Sequence, residues 1–212
     1  MTSGPGLNAQ ILRLAVPALG ALLAEPTFLL VDAAIVGHLG TEQLAGVGIA
    51  SVVLGTVVGL SVFLAYGTTA QVARSLGAGE PDRALRFGIA GLYLAVIIGA
   101  AVLLIGWPLA PTVIGWFGGG PAVSDYAVTF LRISLIGVPA MLAVLATTGV
   151  LRGLQDTRTP LLVAVVGAVV NVGLNLWLVI GLQLGVAGSA IGTVITQALM
   201  AAVLIAEPAT PR

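Results

Sequence analysis

Six stretches of this chain are too long and too apolar to belong to a water-soluble domain. They run roughly 10–38, 44–72, 86–115, 125–151, 160–182 and 186–206, bounded by charges, Gly and Pro. A helix needs about 20 apolar residues to cross the hydrocarbon core of a bilayer, and each stretch is that long. Only 8% of the 212 residues are charged, against about 25% in soluble domains, so a water-facing surface cannot be built. The bilayer offers no partners to open backbone N–H and C=O groups, so such runs fold as helices. Outer-membrane strands would alternate polar and apolar residues, and these stretches do not. The sequence predicts an all-α integral membrane protein: a six-transmembrane-helix bundle over 10–206, with short soluble ends at 1–9 and 207–212. The apolar LAVPALGALLA near the start resembles a secretory signal, but the pattern continues past Ala24 and reads as part of the first span.

The basic residues test this helix count. All eight are Arg. With the first end cytoplasmic, Arg13, Arg74, Arg83, Arg86, Arg152, Arg158 and Arg212 fall on the inner side, and the three outer connections carry none. Seven against zero follows the positive-inside rule and puts both ends in the cytoplasm of a multi-pass cell-membrane protein. The eighth, Arg132, lies inside the fourth segment near its outer end; it is expected to snorkel outward or to pair with Asp125. Eight acids balance eight bases, so no global field draws nucleic acid. Without Lys there is no phosphate-binding G-x-x-x-x-G-K-[ST] loop, and 118-GGG-120 reads as a flexible connector. No cysteine is present for a thiolate metal site. A nucleophile–base pair is also missing, so an enzyme is not expected, and no filter motif or charge ring supports a passive channel.

The informative residues are polar ones inside spans. Glu25 and Asp32 are seven apart in the first segment, which puts them within about 20° of each other on one helix face. Such a carboxylate costs about 2.5–3.5 kcal/mol on insertion scales, so an intramembrane acid is a functional candidate by default. It can bind and release a proton, or give hard oxygen ligands to a monovalent cation. The alternatives are an interhelical hydrogen bond or a cavity that merely tolerates the charge. Pro17 and Pro26 each remove a backbone hydrogen bond from the first helix, and Pro139 does so in the fourth, which allows bending. In the fifth segment, 169-VVNVGLNLWLV-179 puts Asn171 and Asn175 on one face, as a polar site or as interhelical glue. Thr193 makes a weaker case alone, because Thr can bond its own backbone. His38, ending the first helix, reads as a satisfied interfacial side chain. The stretches 16-VPALGALLA-24 and 138-VPAMLAVLA-146 form a faint internal echo, in spans of opposite direction.

Several stretches together resemble the multidrug and toxic compound extrusion transporters, in particular their DNA-damage-inducible, DinF-like branch. The likeness is carried by 14-LAVPAL-19, 31-VDAAIVGHLG-40, 67-GTTAQVARSLGAGEPDRA-84, 149-GVLRGLQDTRTP-160 with 171-NVGLN-175, and 185-GVAGSAIGTVITQ-197. It runs from about residue 10 to 206. The resemblance implies one amino-terminal six-helix lobe of a two-lobed transporter that exchanges protons or sodium for amphipathic, often cationic, compounds. It implies that Asp32 is the first-helix acid, that Asn171, Asn175 and Thr193 line the same cation site, and that Pro17 is the bending proline. Sodium, if it is the ion, would sit at Asp32, Asn171 and Asn175, and no cofactor is expected beyond the coupling ion. Two positions depart from the pattern: Asn175 stands where some relatives carry an acid, and Phe130 where some carry Tyr. The expected partners are the lipid membrane, a small-molecule substrate, and a second copy or a separate carboxyl-lobe chain to complete the cleft. The other expectation, of a different class, is a truncated or non-transporting membrane subunit.

Overall fold

In a computed structural model, residues 30–206 are described. Glu25, Pro17 and Pro26 lie outside the described residues. Helix α1 is described over 30–37, followed by α2 (Thr41–Ser61), α3 (Phe63–Gly77), α4 (Pro81–Gly115), α5 (Pro121–Gly153), α6 (Arg158–Asn175), a π-helical turn (Leu176–Gly181) and α7 (Gly185–Ala206). No strand occurs among the described residues. Among the described residues, five continuous helical stretches are long and apolar enough to cross a membrane: Thr41–Gly77, Pro81–Gly115, Pro121–Gly153, Arg158–Gly181 and Gly185–Ala206. The first of them is α2 and α3 joined at Val62, whose N–H bonds the Gly59 carbonyl in a tightened turn.

The helices run past the apolar stretches at their polar ends. Helices α4 and α5 start at Pro81 and Pro121, because proline fits the first helical turn, where its missing N–H has no intrahelical acceptor to lose. Helix α5 is the central post. It packs against α2, α3, α4 and α7, and 44% of its most apolar stretch is buried, against 22–33% in the others. Its inward face carries Phe130, Leu131, Leu135, Val138 and Leu142, while side chains such as Leu104 on α4 and Val169 on α6 remain exposed to the lipid. Small residues set the helix spacing, since apolar surface gains little by leaving lipid and close packing must hold the bundle. A Cβ on Gly46 of α2 would stand 2.9 Å from the Val123 carbonyl oxygen of α5.

The prolines inside helices do not interrupt them. Helix α5 is continuous through Pro139, which packs against Gly99 of α4. Pro111 in α4 cannot donate to the Trp107 carbonyl four residues earlier. Arg132 Nε of α5 donates to that oxygen at 3.3 Å. The expected pairing of Arg132 with Asp125 is therefore not formed: the guanidinium is drawn to a carbonyl that proline has left open. Among the described residues the salt bridge present is Arg83–Glu80.

Candidate functional site

Among the described residues, Asp32 is an acid that accepts side-chain hydrogen bonds from other helices. Asp32 is half-buried in α1, six residues before His38, or roughly 9 Å along the axis at 1.5 Å per residue. His38 closes the helix with its Nδ1 against the Ala34 carbonyl at 2.7 Å.

Two side chains from other helices donate to Asp32 Oδ1. Asn175 Nδ2 at the end of α6 lies 2.5 Å away, and Ser189 Oγ of α7 lies 3.1 Å away. Asn175 Nδ2 also donates to Asn171 Oδ1 at 3.0 Å, and Asn171 Nδ2 donates to Thr193 Oγ1 at 3.3 Å. Asp32, Asn175, Asn171 and Thr193 thus form one hydrogen-bonded chain across three helices, with Ser189 as a branch at its acidic end. Asn171, Asn175 and Ser189 are each at most 1% exposed. No hydrogen bond to Asp32 Oδ2 is formed among the described residues. The Oδ1 of Asn175 is buried without a donor.

Local sequence explains the convergence. The i, i+4 spacing stacks Asn171 and Asn175 on one face of α6, and the π-helical turn follows immediately, a wider geometry that is common at functional sites. On α7, Gly188 and Gly192 are also four apart. A Cβ at Gly188 would stand 2.9 Å from the Leu178 carbonyl oxygen, and one at Gly192 would stand 2.6 Å from Asn175 Oδ1. Their bareness lets α7 approach α6 closely enough for Ser189 and Thr193 to reach across.

The arrangement can hold a proton on Asp32 or bind a small monovalent cation among oxygens. The unpartnered Asn175 Oδ1 fits either, because a buried acceptor without a donor is costly and favours whatever supplies positive charge. Groups of three or more His, Cys, Asp or Glu side chains that could hold a metal are absent among the described residues.

Of the residues expected from sequence, Asp32, Asn171, Asn175 and Thr193 stand together. Pro139 lies elsewhere, at the α4–α5 crossing, and Phe130 joins the apolar core at 4% exposure. Ser189 was not foreseen, although its four-residue offset from Thr193 is the same signal that singled out the asparagines. Gln197, another four residues on, continues the stripe with a buried Oε1 that has no partner.

The MatE family model matches residues 17–177 of this chain. The chain is 36% identical to the DNA damage-inducible protein F of Escherichia coli, over 87% of its own length and 40% of that protein's. It is 26% identical to a probable multidrug resistance protein NorM of Thermotoga maritima, over 79% of its length and 36% of the relative's. A MOP superfamily transporter from Pyrococcus furiosus superposes with a TM-score of 0.84 at 26% identity, covering 92% of this chain and 43% of that one. An inward-facing multidrug resistance MATE family transporter superposes with a TM-score of 0.80 at 26% identity, over 84% and 40%. The chain spans about 40% of the length of the curated relatives named here.

Proposed function

The chain belongs to the MatE family, and from that premise we propose that it is one six-helix lobe of a cation-coupled antiporter that exports small amphipathic or cationic compounds. The observation that carries this reading is the chain of hydrogen bonds ending on Asp32, which accepts from side chains of two other helices. Supporting it, the relatives include a protein named for multidrug resistance.

Asp32 takes the proton or sodium ion. With the carboxylate charged, Asn175 and Ser189 both turn donors toward Oδ1, which is the arrangement a carboxylate requires. When positive charge arrives, the Asn175 amide can turn and present its uncommitted oxygen, since its two ends differ only in donor and acceptor character. Asn171 and Thr193 pass that reorientation along their hydrogen bonds to α7. Glu25, seven residues earlier in the sequence, helps attract the ion. Helix α1 thereby responds to ion binding, and the prolines that precede it in the sequence, Pro17 and Pro26, are the expected bending points. A second copy or a carboxyl-lobe chain completes the cleft in which substrate binds.

The test is reconstitution in vesicles with an imposed proton or sodium gradient and a fluorescent organic cation inside. Efflux driven by the gradient is expected, and its loss in Asp32→Asn. Undiminished coupled efflux in that variant would overturn the mechanism. The reading as a non-transporting subunit gains if no efflux is seen with a completing lobe present.

A further inference from the structure

A groove of about 230 Å³ opens between α3 and α4 on the arginine-bearing side of the bundle. Phe63, Gly67 and Gln71 line it from α3, and Phe87, Gly91 and Leu94 from α4. From Phe63 to Gln71 it extends roughly 12 Å along the helix, close to the ~15 Å depth of one leaflet.

Both lining stripes end in an arginine. On α3, Arg74 follows Phe63, Gly67 and Gln71 at the spacing of one helical face, and on α4, Arg83 precedes Phe87 and Leu94 in the same way. The Arg83 guanidinium lies over the Phe87 ring, 5.7 Å from its centroid, which ties the cation to the wall of the groove. Arg86 flanks it. Two acids share this turn. Glu80 pairs with Arg83 at 2.9 Å, but both side chains are about half exposed, so the pair is weak and easily shared. Asp82 is five residues before Phe87, about 140° around the helix, and faces away from the groove. Arg74 and Arg86 form no salt bridge among the described residues.

We propose that this groove binds one anionic phospholipid of the arginine-side leaflet, with an acyl chain between α3 and α4 and the phosphate between Arg74 and Arg83. Apolar walls at leaflet depth under a cationic mouth are the pattern by which basic pockets between transmembrane helices take acidic head groups. A second copy is a poorer fit, because parallel pairing would bring its own arginines to the same depth. The site lies apart from Asp32 and does not depend on transport.

The test is native mass spectrometry of the full chain from micelles containing equal amounts of phosphatidylglycerol and phosphatidylcholine with matched acyl chains. Preferential retention of one phosphatidylglycerol is expected. Arg74→Gln and Arg83→Gln should each reduce that preference roughly fivefold, the contribution of one basic side chain at an anionic surface. Gly67→Leu should displace both lipids, since an added Cβ there meets nothing within 4 Å and points into open space. Equal retention of the two lipids by the unaltered chain, or undiminished retention in Gly67→Leu, would overturn the proposal. Because the chain has no cysteine, Ala90→Cys gives a further reading. Protection of this thiol from maleimide by phosphatidylglycerol supports a lipid, whereas a cross-link to a second copy makes the groove a subunit interface and overturns the assignment.

Discussion

At the scale of single residues, the hydrogen bonds on Asp32 set what can be tested. Ser189→Ala removes one of two donors to Oδ1, and a bond of this kind contributes about 0.5–1.5 kcal/mol. Ion affinity, read by calorimetric titration with sodium or by proton release, is expected to change by about two- to tenfold, with the fold retained. Gly192→Ala should be far worse than its size suggests. Its new methyl would stand 2.6 Å from Asn175 Oδ1 and must displace the amide or separate the helices, an overpacking cost of about 1–3 kcal/mol. A lower thermal midpoint together with lost ion binding is the expected outcome, and unchanged values of both would contradict the geometry.

At the scale of elements, small residues and freed carbonyls decide how the helices meet. Helix α2 holds an internal control. Gly46 faces the α5 backbone, with its would-be Cβ 2.9 Å from the Val123 oxygen, whereas nothing lies within 4 Å of the same position at Gly48. Gly46→Ala should destabilise the protein by about 1–3 kcal/mol. Gly48→Ala should stabilise it by roughly 0.5–1 kcal/mol, as replacing a mid-helix glycine does. Thermal unfolding in detergent measures both. The Arg132–Trp107 contact makes a second pair. Arg132→Met should cost about 1 kcal/mol in the native chain. In a Pro111→Ala background the cost should shrink, because the restored N–H then occupies the Trp107 carbonyl. Additivity in that double-mutant cycle would show that arginine does not cap the proline gap.

At the scale of the whole molecule, the arginine alternation predicts a direction in the bilayer that labelling can read. With no native cysteine, Gly120→Cys in the α4–α5 connection should react with an impermeant maleimide on intact cells. Asp82→Cys in the first turn of α4 should react only after lysis. The reverse pattern would invert the orientation.

Much of this was legible in the sequence, and the reason is the solvent. Where water is excluded, backbone hydrogen bonding forces apolar runs into helices, so the all-helical membrane class follows from composition alone, while arginine position predicts the direction that the labelling above tests. The asparagine pair was legible too, because i, i+4 spacing is local. The joining of Asp32 to Asn175 across 143 residues of sequence was expected only through the family resemblance, since local spacing does not show how closely α1, α6 and α7 approach. Ser189 became a site residue only because the bare positions Gly188 and Gly192 bring α7 against α6. Arg132 found a proline-freed carbonyl rather than Asp125, because helix α4 carries Trp107 to it. Local periodicity dictates which side chains share a face. Which faces meet is decided by close packing between helices, and that packing is a property of the folded bundle.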